Sequence, residues 1–307
     1  MRARTFILAL VALATLPAPA RGWDQVGHRV IARIAWECMS PGARAKAIAL
    51  LLAAPEDSEL PALLSADGRP LAERERELFE AAAFWADQIR DSARPSHRYH
   101  QPTWHYVNFL WRQEAPGGPA IELDRPLTGE LLVQVQRLSL MVSDRVRPDA
   151  QRGLDLAWLL HLVGDLHQPL HSSARVTAVD PDGDRGGNAF GLGEHGNLHS
   201  FWDGVLRERF PRVEEETDAA YVGRIASALM REYPRASFNA ELAEPTDFEA
   251  WAREGLAVAQ HAVYPAYLER DAPPPARYLD EVYAAAAPRI ALAGYRLAGL
   301  LEALLAR

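Results

Sequence analysis

Cysteine is almost absent from this sequence: Cys38 is the only one in 307 residues. An internal disulfide is excluded, so the chain must fold on its core alone. Cys38 lies in an apolar helical pattern and reads as buried filler. Long apolar runs are missing after the N-terminus, and no later segment is expected to cross a membrane. Convincing strand alternation, internal repeats, low-complexity tracts and domain-dividing linkers are missing as well. Basic charge is short too: 33 Lys+Arg against 41 Asp+Glu gives a formal net charge of −8. Such a chain binds polyanions poorly unless bound cations supply a local positive field.

What is present begins with a separable leader. Arg2 and Arg4 form a positive start, Phe6 to Leu16 an apolar stretch, and Ala, Pro and Gly a small-residue exit. The apolar stretch is short for a bilayer span, so residues 1–22 read as a signal peptide rather than an anchor. Cleavage after Ala20 or after Gly22 both suit the pattern, and the second leaves Trp23 first. Removing 1–22 takes Lys+Arg from 33 to 30 against 41 acids, a net charge of about −11. A secreted or periplasmic bacterial protein is expected.

Helical periodicity fills most of the remainder and predicts helices over 24–38, 41–54, 71–92, 127–145, 149–167, 215–232, 246–263 and 276–305. Asp149 and Thr246 stand where helices start, and Pro41 where a first turn tolerates it. Residues 112–126 read as a surface loop, and 172–197, with DPDGDRGGN and GLGEHGN, as a long loop of the kind that carries function. One all-α domain over 23–307 is the expected architecture.

The chemistry concentrates around that second loop. In HLVGDLHQPLH, His161 and Asp165 are four apart and share a helix face, a spacing that lets both grip one metal ion. His167 and His171 are also four apart, but Pro169 between them should end or bend the helix, turning His171 in a new direction. His199 and Asp203 repeat the His-to-Asp spacing after the loop. Each pair alone is as compatible with structure as with metal binding; two pairs beside a further His favour a metal site. His28 lies early in the mature chain, where a free Trp23 amine would be a metal donor; packing or capping is the plainer alternative. Asp87 and Arg90 alone would suit a surface ion pair, and His105 alone a satisfied core histidine.

Together, Trp23…His28, Asp87-Gln88-Ile89-Arg90, Trp104-His105-Tyr106, HLVGDLHQPLH and GNLHSFWD resemble the single-strand-specific zinc nucleases of the S-one/P-one type. That family shares its all-α fold with zinc-dependent phospholipase C, and the resemblance spans essentially the whole mature chain. It implies three zinc ions. Asp87, His105, His161 and Asp165 would hold one; the Trp23 amine and carbonyl, His28 and a bridging Asp165 a second; His171, His199 and Asp203 the third. It thereby favours cleavage after Gly22. It also implies a water activated between two zincs, a third zinc neutralising charge on the departing 3′-oxygen, and a 5′-phosphate product. Arg90 would stabilise the transition state.

The expected partners are single-stranded DNA, RNA and nucleotides, with 3′-nucleotidase activity, no stable membrane association and a monomeric state. Tyr106 stands where the fungal enzymes have a base-stacking Phe, and Asn108 where they have a base-bonding Asp. Asn188 matches a motif near the site and takes a supporting polar role. Two other readings remain open: a zinc-dependent phospholipase C on the same fold, and a zinc-binding protein without catalysis.

Overall fold

The computed structural model describes residues 23–113, 118–125 and 127–305, so the expected signal peptide lies outside the described residues. Eleven α-helices are described: α1 (Gln25–Cys38), α2 (Pro41–Ala53), α3 (Leu71–Ala82), α4 (Trp85–Gln88), α5 (Leu131–Ser143), α6 (Asp149–Leu166), α7 (Leu198–Asp203), α8 (Val205–Arg209), α9 (Asp218–Glu232), α10 (Phe248–Val258) and α11 (Ala276–Leu305). Three short strands, β1 (Phe109–Gln113), β2 (Ala120–Glu122) and β3 (Ser173–Val176), complete the elements that matter here.

The middle of the molecule is α6. Leu159, Leu160, Leu162 and Val163 are fully buried on successive faces, as expected of a helix that is apolar all round. Each such side chain stabilises the fold by roughly 2 kcal/mol, so α6 is a rigid floor on which a site can be mounted. Helix α1 lies across it and packs also on α3, α9 and α11. The start of α1 is fixed locally: the Asp24 carboxylate accepts from Val26 N at 3.0 Å and Gly27 N at 3.1 Å.

Several boundaries differ from the periodic reading, each for a local reason. The stretch expected as one helix over 71–92 breaks after Ala82 and resumes at Trp85. The 127–145 helix starts only at Leu131, because Asn108 pairs with Thr128 across an isolated bridge. Asp247, not Thr246, caps α10 by accepting from Ala250 N, and residues 259–263 continue it as a π turn. Asp149 is the first residue of α6, with Pro148 at the cap. Cys38 closes α1 half-buried rather than buried, where the helix leaves the core.

The sheet was not expected. Its order is β2-β1-β3, with β1 antiparallel to β2 and parallel to β3. Strand β1 takes up part of the expected 112–126 loop and β2 more of it, with residues 114–117 and 126 outside the described residues. The β1–β3 register pairs Phe109 with Ser173, so the segments just before each strand, carrying His105 and His171, lie side by side. Val107 N donates to His171 O at 2.8 Å, extending the clamp.

Candidate metal centre and cleft

Five pieces of backbone converge above α6. His28 reaches down from α1, and Asp87 comes from the short α4. His161 and Asp165 stand one turn apart on α6. His105 and His171 precede β1 and β3. His199 and Asp203 sit on α7, where Asn197 and Ser200 form a reciprocal capping box. Among the described residues, three His/Asp groups have donor atoms close enough to share an ion: His28, Asp87 and His161; His105, His161 and Asp165; and His171, His199 and Asp203. All eight side chains are buried.

The first two groups are continuous. His28 Nε2 lies 3.3 Å from Asp165 Oδ1, while His105 Nδ1 and His161 Nε2 lie 3.0 and 3.2 Å from Asp165 Oδ2. Asp165 thus touches both sides of the cluster. Trp23 is fully buried, and Asp24 N donates to Asp203 O at 3.1 Å, tying the start of the described chain to α7.

Backbone carbonyls orient three of the imidazoles. His161 Nδ1 donates to Ala83 O at 2.9 Å, His199 Nδ1 to Gly186 O at 2.6 Å, and His171 Nδ1 to His105 O. A ring nitrogen that donates leaves its Nε2 as a lone pair, and these lone pairs face inward: His171 Nε2 and His199 Nε2 are 3.0 Å apart. Two lone pairs at that distance repel unless a cation sits between them. Elsewhere in the cluster, both ring nitrogens of His28, His105 Nε2 and Asp165 Oδ1 are buried without a hydrogen bond. Buried polar atoms are rarely left so, and a set of imidazoles and carboxylates oriented through an outer shell matches what zinc takes. The residues fit the group.

The electrostatics agree. Burial, then His161, lowers the His28 pKa to about 4, and burial, then Arg90, lowers His105 to about 3. Both rings are therefore neutral donors at pH 7. Burial opposes charge on Asp165, but His161 and His171 outweigh it and hold the carboxyl well below its usual range. Asp203 goes the other way: burial pushes it well above, although Gln168 pulls it back by a hydrogen bond. A divalent cation would reverse that upward shift.

Above the cluster opens a cleft of about 380 Å³, lined by Arg90, His105, Tyr106, Asn108, His171, Asn188 and His199 among others. Arg90 Nη2 is 2.7 Å from Asp87 Oδ1. The Asn108 amide donates to Thr128 Oγ1 at 3.0 Å, and the Asn188 amide to Arg185 O at 2.8 Å. His167 points elsewhere, as the proline between it and His171 predicts. It is buried against Trp251, with Nδ1 on Val163 O and Nε2 3.1 Å from Arg296.

Sequence reading missed Gln168, His100 and Arg185. Fully buried Gln168 donates to Asp203 Oδ1 at 2.7 Å, and its adjacency to the histidines was the available signal. His100 and Arg185 line the cleft; only Arg185 lay in a stretch already marked as functional.

Comparisons with known proteins give the family of the chain as a whole. The family model described as S1/P1 Nuclease matches residues 23–306. Nuclease P1 of Penicillium citrinum is 24% identical over 293 residues, covering 90% of this chain and 95% of its own length. Nuclease PA3 of a Penicillium species matches to the same extent, 24% over 293 residues. The chain belongs to the S1/P1 nuclease family, metal-dependent hydrolases that act on the phosphodiester bonds of nucleic acid.

Proposed function

We propose that the protein is a zinc-dependent phosphodiesterase that cleaves single-stranded DNA and RNA to 5′-phosphorylated products and also acts as a 3′-nucleotidase. It works as a monomer outside the cytoplasm, after residues 1–22 are removed as a signal peptide. The observation that carries this reading is the set of buried, unbonded imidazole and carboxylate donors at the foot of the cleft.

Three zinc ions are assigned to it. Asp87, His105, His161 and Asp165 hold one; the Trp23 amine and carbonyl, His28 and Asp165 a second; His171, His199 and Asp203 the third. When bound, zinc supplies Lewis acidity toward phosphoryl oxygens and lowers the pKa of water to about 7. Three dications also bring about +6 to an acidic chain, which answers the shortage of basic charge.

The chain's own residues do the rest. Asp87 holds the Arg90 guanidinium at 2.7 Å, so its donors meet the non-bridging phosphate oxygens without first being ordered. Tyr106 presents a ring on which a base stacks. Asn108 reaches the base edge and, as an amide, both donates and accepts. Asn188 holds the loop through Arg185 O. A recessed floor is reached by a splayed strand and not by an intact duplex, which gives the preference for single strands.

The test compares protein that begins at Trp23 with protein extended by one Met. The first should hold about three zincs by elemental analysis and cleave single-stranded DNA faster than duplex. The extended form should lose one zinc and at least about tenfold in turnover, because the Trp23 nitrogen is then a peptide amide and no longer an amine donor. Full zinc and activity in the extended form would remove Trp23 from the ligand set. Hydrolysis of phosphatidylcholine but not of single-stranded DNA would replace the nuclease reading with the phospholipase one.

A further inference from the structure

We propose that Arg185 forms a second phosphate-binding subsite at the rim of the cleft, taking the backbone phosphate next to the scissile one and so favouring polynucleotides over substrates with a single phosphate. The inference rests on the single-strand nuclease reading above.

Among the described residues four that are not glycine have positive φ, Glu59, Arg185, Glu215 and Asp271, and of these only Arg185 lines the cleft. Its φ is +57°, in the left-handed region that glycine adopts freely and other residues seldom do. Gly183, Gly186 and Gly187 around it also have positive φ, at +98°, +61° and +77°. The stretch thus uses glycine wherever that geometry recurs, except at the one position whose side chain lines the cleft. Backbone strain of this kind concentrates at ligand-binding positions.

The mount beneath the side chain is rigid. Asn188 donates to Arg185 O from its backbone at 3.3 Å and its amide at 2.8 Å. The next residue, Gly186, lies so close to the floor that a Cβ there would come within 2.3 Å of Leu170 O, and its carbonyl takes His199 Nδ1. The guanidinium itself is exposed and makes no ion pair or hydrogen bond among the described residues. Its neighbours are already engaged: Arg270 pairs with Asp180, and Arg175 lies over the Tyr264 ring.

Ligand chemistry follows from position. A cleft of about 380 Å³ is the size of a small-ligand site, so with one nucleotide on the floor the next phosphate emerges at the rim. A guanidinium there meets it with a planar fork of donors. Because the contact is exposed, salt should weaken it.

The experiment uses zinc-loaded, correctly processed protein and measures kcat/KM on a single-stranded oligonucleotide and on a dinucleoside monophosphate, which has one phosphate only. For Arg185→Ala the ratio of the two values should fall about tenfold, mainly through the oligonucleotide KM, and the logarithmic salt slope on the oligonucleotide should shrink by about 0.7. Arg185→Lys should keep most of the slope. Arg185→Gly should show the same kinetic loss with a Tm no lower than the native protein's, since glycine removes the strain. Equal losses on both substrates, or an unchanged ratio and salt slope, would overturn the subsite. A native protein that cleaves neither substrate would fail earlier, taking the nuclease reading down with it.

Discussion

Replacing Gly164 by alanine pits helix propensity against the metal centre. In the interior of α6, alanine should be favoured over glycine by about 1 kcal/mol. A Cβ on Gly164, however, would lie 2.7 Å from His28 Nδ1 and 3.0 Å from Cε1, where ordinary contact begins near 3.4 Å. The shortfall at Nδ1 is thus about 0.7 Å. His28 has little room to retreat, because its ring is stacked 3.9 Å from that of His161. Ligand distances tolerate only about 0.2 Å, so the displacement that relieves the clash takes His28 out of reach of an ion.

Overpacking of this kind costs about 1–3 kcal/mol, and the propensity gain offsets part of it. The expected Tm change is therefore a few degrees at most, while zinc should fall from about three per chain to two. Turnover on single-stranded DNA should drop about 100-fold, as for a misplaced catalytic group. Elemental analysis, thermal unfolding and initial rates on one preparation separate these effects. A Gly164→Ala protein with full zinc and activity within twofold of the native would refute the placement of His28 at the centre.

Gln168→Leu removes the 2.7 Å side-chain hydrogen bond that Asp203 Oδ1 accepts, and the third zinc should bind about 10–100-fold more weakly, measured by competition with a chromogenic chelator; unchanged affinity would deny Gln168 a role in orienting Asp203. Acid should destabilise the zinc-free protein. His28, at about 4, and His105, at about 3, bind fewer protons folded than unfolded below the ordinary value of about 6.5. Stability present above pH 6.5 is therefore lost as pH falls toward 4, by about 3 kcal/mol from His28 alone. His161, where Asp165 and Asp87 outweigh burial and raise the pKa, opposes this trend. A Tm of chelator-treated protein that rises between pH 7 and pH 5 would contradict the assignment.

Much of this was legible in advance because α6 and α11 carry long apolar patterns, in α11 running on past Pro288, and a helix is dictated by nearby residues. The His161–Asp165 spacing was visible for the same reason, whereas His199–Asp203 was visible only as a repeat of that four-residue spacing. The sheet was not, because β2 has three residues and β1 pairs with β3 some sixty positions away. Nothing local in Phe109–Gln113 announces that partner. Helices α7 and α8 were hidden by length: six and five residues hold too few turns for a period to emerge.

The break after Ala82, the strand pair and the glycine-rich loop look like unrelated exceptions to the helical pattern. Each delivers a backbone carbonyl to a histidine. A helix end leaves its last carbonyls without partners, and the interruption between α3 and α4 turns Ala83 O to His161. The β1–β3 pairing brings the His105 carbonyl to His171. The positive-φ turn at Gly186 gives its carbonyl to His199. In each case the bond fixes which ring nitrogen keeps its lone pair. Side-chain spacing reveals which residues can be ligands, but a carbonyl is common to every residue and leaves no mark in a sequence. The interruptions are where the fold places them, so the site depends as much on where the helices stop as on the residues they carry.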